Sequence, residues 1–206
     1  MRVTAEIKAE TRERILEAAR ELFASRGFEV TTTREIAEAA GIAAGTLFNY
    51  FPTKEAIVAC LANRAVAGVY EQFARDSIDA ESFEEALFGV VSAGLRKLKP
   101  LRKYLPALVE TALSPLVAGS ADAGESLRVT HLETVTRLAK QHGLGELSPV
   151  ALQLYWTLYI GLLLFWANDR SPKQEDTLAL LDHSIAMFVG WLTQQGNDLT
   201  TESCKK

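Results

Sequence analysis

The sequence predicts an all-α protein in two parts, a small three-helix unit followed by a larger helical bundle. Three observations carry that expectation. Apolar residues recur every three or four positions along most of the chain, and no stretch alternates as a half-buried strand would. Ser, Thr and Pro stand where helices should start and Gly where they should end. With 206 residues, 48% of them hydrophobic, and 22 basic against 26 acidic side chains, the chain has enough apolar material for a substantial core and too little net charge for a disordered segment.

From about Ala5 to Arg26, the residues Ile15, Leu16, Ala19, Leu22 and Phe23 mark one face of an amphipathic helix that Gly27 ends. Phe28 follows two positions past the helix, where a C-cap places its hydrophobic contact. Arg12 and Arg14 are either phosphate contacts or part of a solvated face. The stretch TTTREIAEAAGIAAGTLFNYFPTK, Thr31 to Lys54, then reads as two short helices hinged on Gly41 and closed by Pro52. Thr32 and Glu35 form a capping box, so the first should start at Thr33 or Arg34. The second should run from about Ala44 to Tyr50, burying Leu47 and leaving Thr46, Asn49 and Tyr50 outward. Two helices on a tight glycine turn are the pattern of a helix-turn-helix, whose second helix enters the major groove of DNA, or of any small helical hairpin.

Thr53 caps a long helix from Lys54 towards Arg75, whose inward stripe should be Ile57, Val58, Leu61, Ala65, Val69 and Phe73. This connector leads into the rest of the chain. Asp76 to Glu81 reads as a loop. Ser82 and Glu85 open the next helix as a second capping box, and it runs through Leu98. Arg96, Lys97, Lys99, Arg102 and Lys103 crowd around Pro100, as a solvated turn or an anion site. Pro106 begins a helix reaching 112–118, and Gly119 to Gly124 reads as a loop. Glu125 to His142 is an amphipathic helix that Gly143 ends. Ser148-Pro149 opens the most apolar stretch, VALQLYWTLYIGLLLFWA, which approaches the length of a membrane span. Gln153, Thr157 and the closely placed Tyr and Trp residues favour burial between helices, one of them from another subunit, so no membrane is expected. The last helix should run from Glu175 to Gln195 with Gly196 as its stop, leaving a frayed tail.

No catalytic constellation is legible. There is no glycine-rich phosphate loop, no nucleophile elbow and no HExxH, so the chain does not read as an enzyme, and no cofactor is implied. His131, His142 and His183 are scattered and read as surface or capped histidines, and no metal site is expected. Cys60 and Cys204 fit no metal or redox spacing. The N-terminal MRVTAEIKAE lacks the apolar core of a signal peptide, which suggests a cytoplasmic protein. Charge argues against nucleic acid: the first 55 residues hold eight basic and nine acidic side chains. A purely protein-binding helical scaffold would explain the bundle and leave the hinged pair unexplained.

The run ILEAARELFASRGFEVTTTREIAEAAGI followed by AGTLFNYFPTKEAI resembles the N-terminal domain of the TetR family of bacterial transcriptional regulators, over roughly Thr11 to Leu61. The resemblance implies a helix-turn-helix DNA-binding domain over residues 1–53 and a helical ligand-binding and dimerisation domain over 54–206, with 54–75 as connector. It further implies repression of an operator by a homodimer, relieved by a small-molecule effector; activation through the same domain is the alternative. The matching positions assign double-stranded DNA to Thr33, Arg34, Ala44, Gly45, Thr46, Asn49, Tyr50 and Lys54. Arg34 would suit guanine or phosphate, and Lys54 a phosphate. Phe48 stands where the family often has a tyrosine, and Ala43-Ala44 replaces a more polar pair. The homodimer is expected through the helices of 149–167 and 175–195. An effector pocket is expected among Phe88, Tyr104, Leu108, Tyr155, Trp156 and Tyr159, although simple core packing explains the same residues.

Overall fold

The computed structural model describes residues 5–76, 81–105 and 127–203. Its elements are α1 (Ala5–Arg26), α2 (Thr33–Ala39), α3 (Ala44–Phe48), α4 (Lys54–Asp76), α5 (Phe83–Leu98), a 3₁₀ segment (Lys99–Tyr104), α6 (Leu127–Gln141), α7 (Pro149–Asn168) and α8 (Glu175–Ser203), with a short 3₁₀ turn (Pro172–Gln174) before α8. Among the described residues there is no strand. Expectations for Pro106, Leu108, the helix to 112–118 and the loop Gly119 to Gly124 lie outside them.

The local signals do the work expected of them. The Thr32 side chain accepts from the Glu35 N–H at 3.2 Å, while the Glu35 carboxylate accepts from the Thr32 N–H at 2.8 Å, so the box is closed in both directions. Gly41 turns the chain with φ 67°. Thr53 caps α4 through the Ala56 N–H at 3.1 Å, and Ser148 caps α7 through the Ala151 N–H, also at 3.1 Å. At α5 the box is altered: Ser82 accepts from Glu85 N–H, but Glu85 reaches back to Glu81 N–H rather than to Ser82.

The helices depart from expectation in two places, the packing of α4 and the length of α8. On α4 the buried line is Ile57, Val58, Ala62, Val66 and Tyr70, while Leu61, Val69 and Phe73 are half-buried, because α4 is flanked by both α5 and α6 and is covered on a broader face than one stripe. α8 continues through Gly196 to Ser203: a lone glycine lowers helix propensity, and 197–203 contain neither Pro nor Gly to end the helix. α7, expected to be buried between helices that include one from another subunit, buries Tyr155, Trp156, Tyr159, Leu162, Leu163 and Trp166 within this chain and exposes Val150, Leu154, Leu164 and Phe165.

Among the described residues, two connections join the N-terminal unit to the bundle. α4 is one. The other is the 3₁₀ segment, where the Tyr104 hydroxyl donates to Phe23 O at the end of α1 at 2.8 Å and its ring packs on Phe23 and Phe28. Two residues earlier, Arg102 donates to Trp166 O at 2.8 Å and to Asp169 O, capping the C-terminal end of α7. The cluster of basic residues around Pro100 is therefore not all solvated: Arg102 is spent on α7.

Candidate nucleic-acid interface

α2 and α3 are held by a small core of Phe23, Phe28, Ile36 and Leu47, all at most 5% exposed. Thr31 ties the preceding turn shut, donating to Gly27 O at 2.7 Å. This rigid base leaves one face outward. It carries Arg34, Asn49 and Gly45, with Thr33, Ala44, Thr46 and Tyr50 half-exposed at its edge. Among the described residues no side-chain hydrogen bond or ion pair engages Arg34, Thr46, Asn49 or Tyr50, so their polar groups are available outward. Phe48 stands beside them at 50% exposure, offering a ring edge where a tyrosine would offer a donor.

Gly45 has no internal justification. A Cβ built there meets nothing within 4 Å, and the residue lies in ordinary helical backbone. The space above it is free in this chain, which fits a position where another molecule's backbone approaches closely. α3 also begins without a side-chain cap at Ala43, leaving its first N–H groups to solvent or to an anion.

Lys54 departs from expectation. Its ammonium points inward, donating to Phe28 O at 2.6 Å, Thr31 O at 3.1 Å and Glu29 O at 3.4 Å, and lies 4.1 Å from the centre of the Phe28 ring. An ammonium has three donors, and these three carbonyls take them all. In this structure Lys54 fixes the α1–α2 turn that positions Arg34, instead of presenting a free charge to a phosphate.

The adverse charge balance is softened by placement. Glu35 is held below the usual carboxylate range, first by the Thr32 backbone N–H and hydroxyl and also by Arg26, 3.0 Å away. Glu13 is lowered chiefly by its hydrogen bonds from Arg64 of α4, at 2.5 and 2.6 Å, and Glu17 by Arg20. Of these three partners only Arg64 lies outside the eight basic residues counted, so one of the nine acidic groups is offset by a further cation, while Arg34 remains unengaged among the described residues.

In the bundle, the expected pocket residues separate. Tyr155, Trp156 and Tyr159 come together on α7, and Phe88 is half-buried on α5. Tyr104 is elsewhere, packed on α1 as described, because its hydroxyl serves a helix end and not a cavity. Two residues that the sequence reading passed over join the tyrosines. His131, read there as a surface or capped residue, is fully buried, with its ring stacked on Tyr159 at 4.0 Å, and Tyr70 of α4 hydrogen-bonds it. Periodicity held the clue: His131 lies four and seven residues before Val135 and Leu138 on the inward line of α6. Among the described residues no group of His, Cys, Asp or Glu is arranged to hold a metal.

Comparison with known proteins agrees with this arrangement. A family profile described as bacterial regulatory proteins, tetR family, matches residues 15–61. The HTH-type transcriptional repressor KstR2 of Rhodococcus jostii (strain RHA1) is 36% identical over 207 residues, covering 97% of this chain and 87% of the repressor. A TetR transcriptional regulator from Rhodococcus sp. RHA1 shares the fold with a TM-score of 0.69 at 23% identity, over 88% of this chain and 96% of that one. Thermus thermophilus FadR, a TetR-family repressor solved in complex with lauroyl-CoA, has a TM-score of 0.66 at 27% identity, over 86% of this chain and 93% of its own. With its helix-turn-helix geometry and a full-length relative at this identity, the chain belongs to the TetR family of bacterial transcriptional regulators.

Proposed function

We propose that this regulator is a repressor that binds a pseudo-palindromic operator as a homodimer and is released by a small, largely apolar ligand. The observation that carries the DNA-binding part is the outward face of α2 and α3, where Arg34, Thr46, Asn49 and Tyr50 have no side-chain partner among the described residues and Gly45 leaves room for close approach. Thr33 and the uncapped start of α3 at Ala44 add donors for phosphates. Lys54 contributes by holding the turn that carries α2. Acting on operator DNA places the protein in the cytoplasm, and its relatives are regulators, not enzymes.

The homodimer rests on the exposed apolar faces of α7 and α8. Leu154, Thr157, Gly161, Leu164 and Phe165 form one face of α7, and Leu180, His183 and Met187 one line of α8, while Gly161 has open space where a side chain would be. A two-turn reading helix covers few base pairs, so two symmetric copies supply the specificity. The effector reading is supported by the tyrosine-lined interior of the bundle, and FadR holds lauroyl-CoA, a ligand with an apolar acyl chain on a charged carrier. The test is a gel-shift titration against DNA upstream of the protein's own gene, with Arg34→Ala alongside. Saturable binding that Arg34→Ala weakens and makes less sequence-selective is expected. Binding that ignores sequence, or no binding, rejects the reading.

A further inference from the structure

α3 carries one large apolar side chain that the fold does not use. Phe48 is 50% exposed, whereas its neighbour Leu47 is fully buried and closes the small core beneath α2 and α3. Ala44 and Tyr50, to either side of it in the sequence, pack against that core, and Phe48 does not. Among the described residues no aromatic ring or cation lies against it. Its place on the helix follows from spacing: Phe48 stands three residues after Gly45 and next to Asn49, so the three share the outward face. Gly45, with open space where a Cβ would stand, puts nothing beside the ring on the preceding turn.

As the second helix of a helix-turn-helix, α3 turns this face to the major groove. A phenyl ring has no donor and no charge, so a phosphate, which recognises donors and cations, offers it nothing. The base edges in the groove present acceptors on guanine, adenine and thymine and amino donors on adenine and cytosine, and thymine alone adds an apolar group, its C5-methyl. We propose that Phe48 is a specificity-determining residue of the operator contact, its ring packing on the C5-methyl of one thymine in each half-site. The proposal rests on the operator-binding reading above. Ala43, Ala44 and Gly45 bring no polar side-chain group to the start of α3, so selection there is by shape and apolar contact. Hydrogen-bonded reading falls to Arg34, Thr46 and Asn49, of which Asn49 suits adenine. The half-site therefore holds a T·A pair recognised by its methyl and not by its hydrogen-bonding edge. A cytosine in its place would set the ring beside an amino donor that the ring cannot satisfy.

The test starts from a pool of random duplex DNA, from which full-length protein selects its preferred site. Each thymine of that site is then replaced by deoxyuridine, which removes the C5-methyl and keeps every hydrogen-bonding group, and affinity is measured by gel shift. Replacement of one thymine should weaken binding about fourfold, the contribution of one buried methyl, and replacement in both half-sites about fifteenfold. In Phe48→Ala that penalty should vanish, while in Asn49→Ala it should persist. A selected site in which no thymine responds, or one in which every response survives in Phe48→Ala, overturns the proposal. Should Phe48→Ala not fold, the responding thymine is replaced by 5-iododeoxyuridine, whose iodine takes the place of the methyl, and the complex with unmodified protein is irradiated. Attachment of the base to Phe48 supports the contact, and attachment to another residue or to none overturns it. The two readings fail differently: no sequence enriched from the pool refutes operator reading itself, whereas an enriched site indifferent to its thymine methyls refutes only the role of Phe48.

Discussion

Gly45 and His131 show how single residues divide between stability and function. Because a Cβ at Gly45 meets nothing and the backbone there is helical, Gly45→Ala should leave the fold intact and raise helix stability by up to about 1 kcal/mol. The same methyl should obstruct the approach of DNA and weaken operator binding about tenfold or more, equivalent to about 1.4 kcal/mol. A melting curve and a gel-shift titration on the one variant test both halves; a lower melting temperature, or full operator affinity, contradicts the assignment. His131 gives the opposite case. An unfolded imidazole titrates near 6.5, whereas burial holds this one at about 3. Between those values the unfolded chain binds a proton that the folded chain does not, so stability falls as pH drops through that window, by about 2 kcal/mol at pH 5. Thermal unfolding between pH 7 and 5 should show the loss, and His131→Gln, which does not titrate, should flatten it.

At the scale of elements, the proposed homodimer turns on α7 and α8. Leu162 of α7 and Phe188 of α8 are core residues, 3% and 1% exposed. A charge at either should unfold the bundle. Phe165→Glu on α7 or Met187→Glu on α8, where the native side chains are 43% and 67% exposed, should instead yield a folded monomer, detectable by light scattering with an unchanged circular dichroism spectrum. A variant that remains dimeric at micromolar concentration would move the interface elsewhere. These helices also show what could be read without a structure. The capping box at Thr32 and Glu35 and the turn at Gly41 were legible because each is decided by residues within a few positions. The side of α7 that faces inward was not, since a helix apolar all round carries no periodic signal to orient it. Lys54 was legible as a helix-start lysine, but its inward rotamer depends on carbonyls at Phe28 and Thr31, more than twenty residues away. Tyr104 was misplaced for the same reason, its partner being Phe23.

For the whole molecule, the question is how an event inside the bundle reaches α3. Among the described residues, two routes lead from the bundle to the N-terminal unit. α4 carries Tyr70 at its far part and Lys54 at its start, where the ammonium grips the turn before α2. The 3₁₀ segment links the end of α7, through Arg102, to the end of α1, through Tyr104. A ligand that displaces α7 or Tyr70 therefore pulls on the head at two points, α1 and α4, and tilts it as a unit instead of bending it. In a dimer such a tilt changes the separation of the two reading helices, which must match about 34–36 Å for successive major grooves. Thermodynamics then fixes a relation that no structural detail can evade: a ligand that lowers operator affinity by some factor must bind the operator-bound protein more weakly by the same factor, typically about 5–150-fold. Ligand affinity should therefore be measured with and without saturating operator, and in Tyr104→Phe, which cuts the hydrogen bond of the second route while keeping the ring. The two factors should agree in the unmodified protein and should both shrink in the variant. Equal ligand affinities with and without operator would show that the ligand does not act as an inducer, and an undiminished factor in Tyr104→Phe would leave α4, of the two described routes, to carry the signal.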